Sequence, residues 1–130
     1  MTRGAPFGVL LVDDAADLRL MLRLSLEASH RFAVLAEAEN GLRGVELARE
    51  HQPDLILLDI AMPVQDGLEA LPALREAAPD SRVVILSGFE ERQHGAEALE
   101  LGASAYLEKS LPPERLVARL LEVMEAPPTP

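Results

Sequence analysis

Two stretches, DLILLDI (54–60) and RVVILSG (82–88), set the tightest limit on what this chain can fold into. Both are nearly continuous runs of Leu, Ile and Val, without the alternation of a strand that faces water on one side. Strands of that kind are covered on both faces, as in a parallel sheet sandwiched between helices. Three shorter runs, GVLLV (8–12), FAVLAEA (32–38) and AYLEK (105–109), have the same character, and segments of helical spacing lie between them. Strands alternating with helices five times over predict an α/β domain with a parallel sheet and helices on both faces.

The helical segments carry their own marks. LRLMLRLSLEA aligns Leu18, Met21, Leu22 and Leu26 on one predicted stripe, and the last segment aligns Leu116, Val117, Leu120, Leu121 and Met124. Pro112 and Pro113 suit the start of that last helix. Asp66 and Glu69 form a capping pair before LEALPALREA, in which Pro72 deletes a donor and should bend the helix. Gly95 weakens the fourth helix. The tail APPTP cannot extend the last helix, so the expectation is one domain over 1–126 and a Pro-rich tail or linker stub over 127–130.

Composition narrows the function. The formal net charge is −10, which repels polyanions and argues against direct nucleic-acid contact or anionic-membrane binding by this segment. There are no cysteines, which excludes disulfides, thiolate catalysis and Cys-based zinc sites. No run is apolar and long enough to span a bilayer, and MTRGAPFG lacks the apolar region of a signal peptide, so a cytoplasmic protein is expected.

Ligands of such sheets bind beyond the carboxyl ends of the strands. The first run ends in Asp13-Asp14, the third in Asp59, the fourth in Ser87-Gly88 and the fifth in Lys109, while the second ends in a turn, Glu39-Asn40-Gly41, and looks idle. Taken singly, Asp14 is a helix cap, Asp59 and Ser87 are turn formers, Lys109 is a solvated lysine, and His30, His51 and His94 are solvated surface residues. Taken together, three carboxylates, a hydroxyl and an ammonium share one edge of one sheet. Converging carboxylates repel one another unless a cation joins them, and an all-oxygen set with room for water suits Mg²⁺. Lys109 is the sole lysine among twelve basic residues. A compact ammonium fits a crowded phosphoryl pocket better than a planar guanidinium.

The segments LLVDDAADLRLML, DLILLDIAMPVQDGLEAL, VVILSG and GASAYLEKSLPPERL, in this order and spacing, resemble the receiver domain of two-component response regulators over nearly the whole chain. The resemblance implies a flavodoxin-like (βα)5 three-layer sandwich with a five-stranded sheet of order 2-1-3-4-5. It implies that Asp59 is the phosphoacceptor. It makes Asp14, Asp59 and the Ala61 carbonyl direct ligands of Mg²⁺, with Mn²⁺ able to substitute, and Asp13 a ligand through water. Ser87 and Lys109, with the backbone N–H groups of Gly88 and Ala61, would hold the phosphoryl oxygens. Ser87 and Tyr106 would form the switch, in which Ser87 moves inward and Tyr106 rotates into the vacated space. That would bias the face made by the fourth helix, fifth strand and fifth helix. Moving such a switch from nearly off to nearly on takes about 5.5 kcal/mol of differential interaction.

The implied partner is a sensor histidine kinase, with dimerisation on phosphorylation and a C-terminal output domain as family expectations. The implied output is transcription through an attached DNA-binding domain, the alternative being a stand-alone receiver that acts by protein–protein contact. The domain itself is a phosphoacceptor with self-catalysed transfer and autodephosphorylation, not an enzyme that turns over free substrates. Two departures stand out. Ser110 follows the lysine where the family often has a cis proline, which leaves the isomer of that bond open and resembles the subfamily with helix-turn-helix outputs. Ala61 and Phe89 replace polar side chains near the incoming water, so the phosphoryl group is expected to persist.

Three rivals fare worse. A haloacid-dehalogenase-like phosphatase needs a second Asp where Ala61 stands. A flavodoxin-type flavin site needs Ser, Thr and Gly where DDAAD would repel phosphate. A receiver-like domain that never uses phosphate leaves the full acidic set with Ser87 and Lys109 unexplained.

Overall fold

The computed structural model describes residues 5–59, 67–88 and 95–127. Five strands alternate with five helices: β1 (Phe7–Val12), α1 (Ala16–Ala28), β2 (Phe32–Ala38), α2 (Gly41–His51), β3 (Leu55–Asp59), α3 (Gly67–Ala77), β4 (Arg82–Ser87), α4 (Gly95–Glu100), β5 (Ala105–Glu108) and α5 (Pro113–Glu125). They form one sheet of order β2-β1-β3-β4-β5, and every pairing is parallel. The expected fold class and strand order are both found.

Alternation within the buried strands explains the three layers. Leu10, Val12, Ile56, Leu58, Val83 and Ile85 point to one face, where Leu47 of α2, Leu71 and Leu74 of α3 and Ala98 of α4 cover them. Val9, Leu11, Leu55, Leu57, Val84 and Leu86 point to the other, under Leu22 and Leu26 of α1 and Leu116 and Leu120 of α5. β1, β3 and β4 therefore have no wet side, which is why their sequences do not alternate, whereas the edge strand β2 leaves Leu35 exposed.

Details depart from the sequence reading. Leu22 and Leu26 are buried, but Met21 lies outside the apolar stripe, 53% exposed. Met21 lies about 140° round the helix from Leu26, beyond the strip that the buried Leu22 and Leu26 define. Pro72 sits inside a helix that runs unbroken from Gly67 to Ala77. α4, which begins at Gly95, is a short helix of 6 residues. Pro112 and Pro113 open α5 as expected. The capping role given to Asp66 lies outside the described residues. No described peptide bond is cis, that between Lys109 and Ser110 included, and no described helix is long and apolar enough to cross a membrane.

Candidate functional site

Parallel strands all deliver their carboxyl ends to the same edge, so the residues that terminate β1, β3, β4 and β5 meet there. Asp13 follows β1 and extends its ladder by one bond, from its N–H to the Ala38 carbonyl at 3.0 Å. Asp59 is the last residue of β3 and Ser87 the last of β4. The Lys109 N–H donates to the Ser87 carbonyl at 2.8 Å, which fixes the start of the lysine side chain beside β4.

The carboxylates converge. Asp13, Asp14 and Asp59 each offer an oxygen within 4.8 Å of the other two. Asp13 and Asp59 are buried, at 2% and 1% exposure, whereas Asp14 is exposed. Lys109 Nζ reaches over them, 2.9 Å from Asp59 Oδ1 and 4.0 Å from Asp13 Oδ2. Beside them, Tyr106 donates its hydroxyl to Ser87 Oγ at 3.1 Å, and Ser87 donates to the Gly88 carbonyl at 2.9 Å. Six of the residues singled out from the sequence (Asp13, Asp14, Asp59, Ser87, Tyr106 and Lys109) thus fall in one constellation, with Gly88 next to it. Ala61 and Phe89 lie outside the described residues. Of the histidines, His30 and His51 are exposed and remote from this edge, and His94 lies outside the described residues.

Asp13 shows what the arrangement lacks. Its Oδ1 accepts from the Ala15 N–H at 2.8 Å, but its buried Oδ2 takes no hydrogen bond. Burial pushes the carboxyl from its ordinary 3.8 up to about 6, and the neighbouring Asp59 and Asp14 push the same way, against the Ala15 N–H and Lys109. Among the described residues, three carboxylates face one ammonium, and one buried oxygen has no donor. Hard divalent cations with oxygen ligands relieve this imbalance, so the residues present fit a bound Mg²⁺.

The second strand is not idle. Arg19 of α1 donates from Nη1 to the Asp13 carbonyl at 2.5 Å and from Nε to Glu37 Oε1 of β2 at 3.0 Å. Glu37 Oε2 also pairs with Arg23 at 3.4 Å. One faint trace of these contacts is legible beforehand: Glu37 is an acidic residue within an otherwise apolar run.

Comparison with known proteins agrees with this geometry. The family described as "Response regulator receiver domain" matches residues 9–121. The nitrate/nitrite response regulator protein NarL of Escherichia coli K12 is 39% identical over 120 residues, 92% of this chain and 56% of NarL. The chemotaxis protein CheY of Bacillus subtilis is 35% identical over 109 residues, 84% of this chain and 90% of CheY. A chain of the CheX–CheY–BeF3–Mg²⁺ complex from Borrelia burgdorferi superposes with a TM-score of 0.85 at 29% identity, covering 95% of this chain and 92% of that one. This chain therefore spans little more than half of NarL and most of CheY. A parallel sheet of order 2-1-3-4-5, an acidic pocket at its carboxyl edge and these relatives lead to one conclusion: the chain belongs to the family of response regulator receiver domains.

Proposed function

We propose that this domain is a phosphorylation-activated switch that takes a phosphoryl group onto Asp59 from a sensor histidine kinase or a small acyl phosphate. One observation carries the reading: Lys109 Nζ sits 2.9 Å from Asp59 Oδ1, inside a ring of carboxylates that has room and charge for a divalent cation. The Mg²⁺ and BeF3 of the Borrelia burgdorferi complex support the same reading.

In the proposed reaction an Asp59 oxygen attacks phosphorus in line with the departing group. A P–O bond to the carboxylate forms as the P–N bond of phosphohistidine, or the P–O bond of an acyl phosphate, breaks. The protein supplies position and charge compensation rather than covalent chemistry of its own. Burial keeps bulk water from the Asp59 carboxylate. Lys109 would pass from the carboxylate oxygen to a phosphoryl oxygen, and the Gly88 N–H would add a donor. Asp13, Asp14 and Asp59 would hold Mg²⁺, with Ala61 contributing its carbonyl. When bound, the ion supplies neutralisation of the charge gathered on the transferring oxygens. The Ser87 hydroxyl would turn from the Gly88 carbonyl to the new dianion, and Tyr106, bonded to Ser87, would follow. The rearrangement would reach α4, β5 and α5.

The output we propose is transcriptional control through an attached DNA-binding domain, which the match to part of NarL supports. A second reading, a single-domain receiver acting by protein contact, is favoured by the coverage of 90% of CheY. Incubation with Mg²⁺ and acetyl phosphate tests the common core. A single phosphoryl adduct that Asp59→Asn abolishes is expected. No adduct, or sustained release of free phosphate at many turnovers, would overturn the proposal.

A further inference from the structure

The geometry points to Arg19, held by Glu37, as a positioning residue that sets the aim of the Asp13-Asp14 pair and thereby the affinity of the acidic site for a divalent cation. The inference rests on the reading of that site as a Mg²⁺ site and adds residues from α1 and β2 to it.

Asp13 is the point where β1 leaves the sheet. Its N–H is still paired, to the Ala38 carbonyl, while its carbonyl instead accepts from Arg19 Nη1 at 2.5 Å. That carbonyl belongs to the peptide unit joining Asp13 to Asp14. The unit is planar, so holding its oxygen restrains the plane that carries both Cα atoms and narrows the range over which the two flanking side chains can be aimed. Asp13 has a further restraint in the Ala15 N–H. Asp14 is exposed, so the peptide plane is the restraint that the described contacts provide for it.

Arg19 can hold the plane because it is held itself. Its Nε donates to Glu37 Oε1 at 3.0 Å, and its side chain is only 16% exposed. Glu37 stands on β2 directly beside Leu11 of β1, so the anchor moves with the sheet rather than with the loop. A planar fork with donors on separate nitrogens spans an acceptor on each side; an ammonium is a single point. In the site Arg19 contacts a backbone oxygen, the Asp13 carbonyl, and none of the described hydrogen bonds joins it to the carboxylates of Asp13, Asp14 or Asp59. It acts on the backbone.

The test measures phosphorylation rate by acetyl phosphate as a function of Mg²⁺, together with Mg²⁺ affinity by calorimetry, in the wild type and in Arg19→Ala, Arg19→Lys and Glu37→Gln. Loss of the positioning contact should raise the Mg²⁺ concentration for half-maximal rate about tenfold in Arg19→Ala, the scale of groups that orient metal ligands, with the rate at saturating Mg²⁺ largely restored. Arg19→Lys and Glu37→Gln should fall between. Arg43→Ala removes an exposed charge of α2 that pairs with Glu46 and should leave the Mg²⁺ dependence unchanged. A loss of folding alone would lower the rate at every Mg²⁺ concentration. Should Arg19→Ala not fold, the two milder variants carry the test. An unshifted Mg²⁺ dependence in those that fold, with a wild type that binds Mg²⁺ and is phosphorylated, would overturn this inference alone. A wild type that does neither would overturn the functional proposal beneath it.

Discussion

The Tyr106 hydroxyl lies 3.1 Å from Ser87 Oγ and donates to it, so the phenol of β5 and the hydroxyl that ends β4 are one hydrogen-bonded unit. Ser87 has a single proton, and it is spent on the Gly88 carbonyl. A phosphoryl oxygen that claims this proton must break that bond and disturb Tyr106. Tyr106→Phe should therefore still acquire the phosphoryl group on Asp59 while the accompanying changes in β5 and α5 amide resonances shrink. Equal resonance changes in the variant and the wild type would show that the contact transmits nothing.

Lys109→Arg keeps the charge and should still impair switching. The ammonium meets Asp59 Oδ1 at 2.9 Å beside a buried Asp13, and a planar fork does not occupy the same point. Acetyl phosphate labelling and the same resonance changes, read together, check this. Normal response in the variant would contradict the account of the lone lysine.

Asp13 predicts a pH effect of defined sign. Its carboxyl is raised from 3.8 to about 6. Below the lower value it is protonated in both folded and unfolded chains and costs nothing. As pH rises between the two values the unfolded chain gives up its proton first, so metal-free stability falls. Above about 6 the loss is complete, on the order of 3 kcal/mol. Mg²⁺ binds the ionised form, so its increase in Tm should be larger at about pH 7.5 than at about pH 5. Asp13→Asn should raise the Tm of the metal-free protein and remove most of this difference. Thermal melts with and without Mg²⁺ at both pH values measure it.

Gly102→Ala should destabilise the fold without touching the site. Gly102 has φ +107, and an added Cβ would strike the Arg75 guanidinium. The side chain can swing aside, so the backbone conformation sets the cost at about 1 kcal/mol, a fall in Tm of a few degrees. Chemical denaturation checks the value, with unchanged phosphorylation by acetyl phosphate as the companion result.

Much of the site was legible because most of its residues end an apolar run. Asp13, Asp59, Ser87 and Lys109 are all marked by the place where hydrophobic sequence stops. Met21 shows where that logic fails: helical spacing counts it into the core, yet the surface that α1 presents to the sheet is too narrow to reach it. Arg19 and Glu37 show a deeper limit. Each reads alone as a charged residue near water, and the distance between them in sequence hides that they meet.

The order of apolar and polar residues determined that this chain makes five strands, three of them covered on both faces, and that acids, a hydroxyl and a lysine arrive together at their ends, because periodicity and chain direction are local properties. Only the folded arrangement decided that Asp13 keeps a buried oxygen without a donor, that Tyr106 rests on Ser87 and that Arg19 bridges β2 to the Asp13 carbonyl. Those depend on strand register and on which atoms exclude water from which others, and such relations exist only between segments that the sequence keeps apart.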